Sequence, residues 1–231
     1  EKIINIAIHR NTSNYVREFI KYILDLKQIK LRKFIFLDDN FYLFKDCQIP
    51  SFLNNNDVIK FYESIFPFNK SAKSDESIYI SRRNANWRNI INETDFISHI
   101  EKEGFQIIDF ETLPIKDQIK KIQSAKKIIA PHGSGLTNLI FGKTNNKVIE
   151  IVPKDIDKEL AQIYLKYKNI SDYKKNIHYF FGADLVQNDL TRYLKTRSYG
   201  EKLSIQKSNI RKNQYFKNFI VQESEFKKLI T

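Results

Sequence analysis

Apolar residues fall into short runs separated by stretches with helical spacing. Ile3-Ile4-Asn5-Ile6-Ala7-Ile8 reads as a strand. From Tyr15 to Leu26 the apolar positions Val16, Phe19, Ile20, Ile23 and Leu24 share one helical face. Phe34-Ile35-Phe36-Leu37 reads as a short buried strand, and Asp38-Asp39-Asn40 as the turn after it. A helix is expected from Val58 to Phe66, ended by Pro67. The polar stretch Asn69 to Ser77 reads as a linker or loop.

The pattern becomes more regular after that stretch. Strands are expected at Ile78–Ile80, Phe105–Phe110, Lys127–Ala130 and Val148–Val152. Asn92 or Thr94 can cap a helix that runs to Glu103, and Gly104 stops it. Pro114 suits the first turn of the next helix, whose buried face is Ile115, Ile119 and Ile122. Apolar strands alternating with amphipathic helices imply a parallel sheet covered on both faces, as in doubly wound α/β domains. Further on, Lys158–Tyr167 and Ser224–Ile230 read as helices, and Ile177–Phe181 and Phe219–Val221 as strands.

Composition narrows the class. At 231 residues the chain has room for one large domain or two small ones, and Pro and Gly are too scarce (5 and 6) for a disordered chain. It lacks the run of about 18 apolar residues that a membrane-spanning helix needs. Its one cysteine excludes a disulfide framework and a cysteine-based zinc site. The net charge of +12 favours an anionic partner, although Lys, Asn and Ile abound throughout, as in the product of an AT-rich genome. The absence of methionine, even at position 1, is expected of a piece of a longer chain.

Three places offer chemistry. The segment Ala130-Pro131-His132-Gly133-Ser134-Gly135-Leu136-Thr137-Asn138 joins a strand to an apolar stretch that can be helical. Its glycines permit close approach of a ligand, and a helix start supplies N–H groups for a phosphate. It is not a dinucleotide fingerprint, because Asn138 stands where the third glycine belongs; Gly142-Lys143-Thr144 just after it imitates the end of a P-loop, but Thr137 stands at the required first glycine. Glu150 lies in an apolar strand, where a carboxylate needs a partner or access to a ligand's hydroxyls. Ser81-Arg82-Arg83 and Arg88 follow a strand and suit a diphosphate. Each place also has a plain reading as a tight turn, a strand-end charge or a solvated basic loop.

Their order adds specificity. Ile80-Ser81-Arg82-Arg83, Trp87 to Glu93, Gly104-Phe105, Asp117-Gln118-Ile119, Ala125, His132 to Asn138 and Val148-Ile149-Glu150 follow one another in a series that resembles glycosyltransferase family 61. The likeness is dense from Ile78 to Pro153 and thinner elsewhere. Asp117 stands where glutamate is expected, and Ser134 where alanine is commoner. The resemblance implies a GT-B-like α/β fold of two Rossmann-type lobes, the C-terminal one a doubly wound parallel sheet and the N-terminal one apparently truncated. The division expected is an acceptor-side lobe over 1–76 and a nucleotide-sugar lobe over 77–231.

The implied activity is inverting transfer of a sugar from a nucleotide donor, usually a UDP-sugar, to a glycan or lipid-linked glycan in capsular or surface polysaccharide assembly. Arg83, Arg88 and His132 would stabilise the departing diphosphate. Gly133, Ser134, Gly135, Thr137 and Asn138 would hold the donor, and Glu150 would meet its ribose. No residue is assigned as base; His9 and the Asp38-Asp39 pair are weaker candidates than their plain readings as an edge histidine and a capping turn. Asp155-Ile156-Asp157 fits a metal-binding D-x-D string but is better explained as helix capping, so neither metal nor cofactor is expected. The expected place is the cytoplasm, with peripheral contact at the inner membrane face. Two competing readings are a basic nucleic-acid-binding module, which no motif supports, and a donor-binding fragment inactive on its own.

Overall fold

The chain builds its main layer from strands whose central members are too apolar to face water on either side. The computed structural model describes residues 2–49, 55–67, 75–85, 88–142, 146–153, 177–183 and 219–230. Five strands, β3 (Glu76–Ile80), β4 (Phe105–Ile108), β5 (Ala125–Pro131), β6 (Lys147–Val152) and β7 (Ile177–Phe181), form a parallel sheet in the order β4-β3-β5-β6-β7. Alternate residues point to opposite faces. Ile78, Ile80, Ile128, Ala130 and Val148 therefore meet Ile119 and Ile122 of α4 (Ile115–Ser124). They also meet Leu136, Leu139 and Phe141 of a 3-10 helix, η1 (Ser134–Phe141). Tyr79, Ile129, Ile149 and Ile151 meet Phe96 and Ile100 of α3 (Glu93–Lys102) and Phe226 and Ile230 of a closing helix, α5 (Glu223–Ile230). Covering both faces is what lets an all-parallel sheet keep near-continuous Ile and Val.

The strand order reverses between β3 and β5. From β3 the chain passes through α3 on one face, whereas from β5 it enters η1 on the other. At such a reversal the two connections diverge and leave a crevice at the carboxyl edge of the sheet.

The first part of the chain is a single βαβ unit. β1 (Lys2–His9) and β2 (Ile29–Leu37) pair in parallel, joined by α1 (Asn14–Leu26). Ser13 caps α1 by accepting the Val16 N–H at 3.4 Å. The unit joins the larger sheet through aromatic rings. Phe19 of α1, Tyr62 of α2 (Asn55–Ile65) and the adjoining Phe66 surround Phe141 of η1, with ring centroids 5.2–5.8 Å from it. The described part of this unit holds two strands, one βαβ step.

Several boundaries differ from the sequence reading. β2 begins at Ile29, five residues before the expected start. Lys30, Arg32 and Lys33 conceal it because one side of this strand faces water. Asn92 occupies the cap position of α3 but makes no capping bond. Its amide instead brackets Val221, donating to the carbonyl at 2.7 Å and accepting the N–H at 2.9 Å, which holds the chain's end against α3. Phe219 and Ile220 form isolated bridges rather than a strand. Gly104 ends α3 with φ +82°, a conformation that favours glycine. The expected helix at Lys158–Tyr167, Asp155-Ile156-Asp157 and Trp87 lie outside the described residues. Among the described residues, no helix is long and apolar enough to cross a membrane.

Candidate functional site

The crevice between the β3 and β5 ends opens into a cavity of about 730 Å³. Ile80, Ser81 and Arg82 line it from β3, and Ala130 and Pro131 from β5. Ser134, Gly135, Thr137 and Asn138 of η1 and the loop from Phe110 to Pro114 form further walls. The first turn of α1, from Ser13 to Glu18, closes it from the βαβ unit. Much of this wall is apolar, and its charged groups are one guanidinium, Arg82, and the carboxylates of Glu18 and Glu111.

Arg82 continues the parity of Ile78 and Ile80, so it leaves β3 toward the same face as η1. Its guanidinium lies directly against Gly133, where any β-carbon would collide with it. Gly133 is thus required for close approach rather than for an unusual backbone angle. Behind this contact, buried Glu93 fixes the β3 end. Glu93 Oε1 accepts from the Tyr79 hydroxyl at 2.7 Å, the Ser81 hydroxyl at 2.8 Å and the Arg82 backbone N–H at 3.2 Å. Burial, and then the Glu93 charge, push the Tyr79 hydroxyl pKa well above its ordinary value.

His132 and Glu150 form a second buried device. Ala130 and Glu150 are register partners, and His132 lies two residues beyond Ala130 on the same face. His132 Nδ1 and Glu150 Oε1 are 2.7 Å apart, and both side chains are fully enclosed. An ionised carboxylate only accepts, so with Glu150 in that form the hydrogen between them sits on Nδ1. The buried acid that needed a partner therefore has one just past the end of the strand next to it, β5. Across β7, Tyr179 stands in register with Glu150, and its pKa is pushed up to about 12, first by burial and then by the Glu150 charge.

A third chain of bonds ties the βαβ unit to η1. The Tyr15 hydroxyl donates to Asn138 Oδ1 at 2.8 Å, and Asn138 Nδ2 donates to Gln118 Oε1 at 2.9 Å. Gln118 Nε2 donates to the carbonyls of Phe110 and Leu113, both at 2.8 Å, which shapes the β4–α4 loop. The Tyr15 pKa is raised to about 12, chiefly by burial.

The sequence-expected residues separate on this geometry. Ser134, Gly135, Thr137 and Asn138 line the cavity, and Gly133 lies just behind it under Arg82. Arg83 is exposed, while its neighbour Arg82 holds the position in the wall. Arg88 is buried, with φ +56°, and does not line the cavity. His132 and Glu150 sit behind the wall facing each other, so in this arrangement the Glu150 carboxylate is directed at an imidazole instead of an open ribose site. His9 and Asp39 pair with each other at 3.3 Å, away from the cavity. Asp38 accepts from Tyr42, which holds its pKa below the ordinary carboxylate value. Glu93, Tyr15 and Gln118 were not singled out by sequence for these roles, and Arg82 stood among the arginines suited to a diphosphate without being preferred to Arg83. Counting in twos from Ile78 would have found Arg82.

A family model described as Glycosyltransferase 61 matches residues 5–149. The chain belongs to glycosyltransferase family 61. The region matched runs from the βαβ unit through Ile149 of β6, and so contains every residue lining the cavity. Among curated proteins, a beta-1,2-xylosyltransferase of Arabidopsis thaliana is 31% identical over 58 residues, which is 25% of this chain and 11% of that protein. An EGF domain-specific O-linked N-acetylglucosamine transferase of Drosophila melanogaster is 30% identical over 78 residues, 32% of this chain and 15% of that protein. The family 61 chain thus matches only a small part of the length of either relative.

Proposed function

We propose that the cavity binds the nucleotide part of a sugar donor, probed here as UDP, and that the chain transfers the sugar to a glycan hydroxyl with inversion. The observation that carries this reading is the Arg82 guanidinium seated on Gly133 at the start of η1, in the wall of a crevice at the strand-order reversal. A helix start leaves its first N–H groups without intrahelical acceptors. Ser134 and Gly135 stand at that start and line the cavity together with Arg82. Such donors stabilise the charge that grows on a departing diphosphate. The apolar wall of Ile80, Phe110 and Leu136 suits the rest of a nucleoside. On this reading the βαβ unit is the partial acceptor-side lobe of a GT-B-like pair. Xylose and N-acetylglucosamine, named by the relatives, are the first sugars to try.

The test is thermal stabilisation by UDP, with uridine as the comparison. UDP is expected to raise the melting temperature more than uridine does, with or without EDTA. Arg82→Ala is expected to weaken UDP binding by about 10–100-fold, the range for a lost charge-assisted bond of about 1.5–3 kcal/mol. Arg83→Ala is expected to weaken it less. Equal stabilisation by UDP and uridine, or an intact UDP response in Arg82→Ala, would overturn the assignment.

A further inference from the structure

We infer that Glu18 is the general base that takes the proton from the acceptor hydroxyl, an inference that rests on the nucleotide-sugar reading of this same cavity. Inverting transfer needs a proton acceptor on the side of the sugar away from the leaving diphosphate. The diphosphate grip lies on the walls formed by β3 and η1, so the base belongs on a facing wall. Among the described residues, the carboxylates lining the cavity are Glu18 and Glu111, and no histidine lines it. Glu111 comes from the β4–α4 loop of the larger sheet, whereas Glu18 comes from α1 of the βαβ unit, which supplies neither Arg82 nor η1.

The local structure holds Glu18 there. Residues three apart on a helix share a face. Tyr15 and Glu18 therefore form a stripe toward the cavity, while Phe19, Tyr22 and Ile23 pack into the core. The Tyr15–Asn138 bond anchors that stripe to η1, one helical turn from Glu18. Lys21 Nζ lies 2.9 Å from Glu18 Oε1, an ion pair whose side chains are 49% and 62% exposed, so the carboxylate stays open to an incoming acceptor. In the step itself, the acceptor oxygen forms a bond to the anomeric carbon as its proton passes to Glu18. The bond from that carbon to the diphosphate oxygen breaks, and its electron pair leaves with UDP.

The experiment measures UDP release from UDP-xylose and UDP-N-acetylglucosamine, with water as the acceptor. UDP binding is measured separately by thermal shift. For Glu18→Gln we expect kcat to fall by about 100-fold or more, with UDP stabilisation and the unliganded melting temperature unchanged. The acidic limb of the kcat–pH profile should vanish, and formate should restore part of the rate in Glu18→Ala. The acidic limb should persist in Glu111→Gln. An unchanged kcat in Glu18→Gln, or loss of the limb in Glu111→Gln instead, overturns the assignment to Glu18. Wild-type chain that binds UDP but releases none from either donor also overturns it, because the base would then lie outside this chain. Absence of any UDP stabilisation in the wild type fails the nucleotide reading itself.

Discussion

Among the described residues, two histidine–carboxylate pairs occur, one at the end of each sheet. In the βαβ unit, His9 and Asp39 are 3.3 Å apart, with side chains 43% and 100% exposed. In the five-stranded sheet, His132 and Glu150 are 2.7 Å apart and wholly enclosed. The same two chemical groups do different work because of what surrounds them. In water, a pair gains little over its separate hydrated members. Inside a sheet covered on both faces, an acid is tolerable only when something donates to it, and losing the donor leaves an uncompensated polar group. The five-stranded sheet can therefore fix the direction of His132 at its carboxyl edge. The two-stranded unit offers its contribution through α1 instead, where Tyr15 and Glu18 reach the same cavity.

The sharpest way to break this contrast is to remove the acid from each pair. Glu150→Ala should destabilise the protein by about 3–5 kcal/mol, the range for breaking a buried charged pair. Glu150→Gln should cost less, because an amide oxygen still accepts from Nδ1. Asp39→Ala should leave the denaturation midpoint where it was. Urea unfolding of the three variants decides the matter, and similar midpoints for Glu150→Ala and Asp39→Ala would show that burial is not what separates the pairs.

A smaller effect is expected at Gly133. Adding a methyl group there forces the Arg82 guanidinium away from η1, since the far end of a long side chain yields more easily than backbone. Gly133→Ala should keep the fold and weaken UDP binding by about tenfold, or about 1.4 kcal/mol. Gly135→Ala meets only ordinary contacts with Ile80 and Phe110 and should change UDP binding less. Titration calorimetry with UDP on both variants compares the two glycines directly. A stronger loss at Gly135 would place the phosphate grip further along η1.

Much of the sheet was legible because its signals are local. Runs of Ile and Val mark strands buried on both faces, Pro114 and Gly104 bound helices, and His132 to Asn138 stands out between two apolar stretches. What stayed hidden depends on pairs distant in sequence. Arg82 and Arg83 are equivalent as letters, and only the pleat of β3 decides which one meets Gly133. Glu150 could be recognised as needing a partner, but the register of β5 on β6 supplies His132. Asn92 looked like a cap because the competing backbone at Val221 lies 129 residues away. The charges of β2 masked half its length, since a strand wet on one side has no continuous apolar run.

The least disruptive test concerns the bond that joins the two regions. Tyr15→Phe keeps the ring and removes only the hydroxyl that donates to Asn138. One neutral hydrogen bond contributes about 1 kcal/mol, so a loss of that order is expected at neutral pH. The pH dependence separates this from a packing effect. The Tyr15 pKa is raised from 10.0 to about 12 in the folded chain, so between those values the folded state holds its proton more firmly than the unfolded state. Its contribution is complete below pH 10 and is lost as pH rises toward 12. Wild type should therefore lose more stability than Tyr15→Phe across that window, and the gap between them should narrow. Parallel unfolding curves from pH 9 to 11.5 would mean that Tyr15 ionises as freely in the fold as outside it, and a gap absent at neutral pH as well would mean that the bond to Asn138 adds nothing to the hold of α1 on η1.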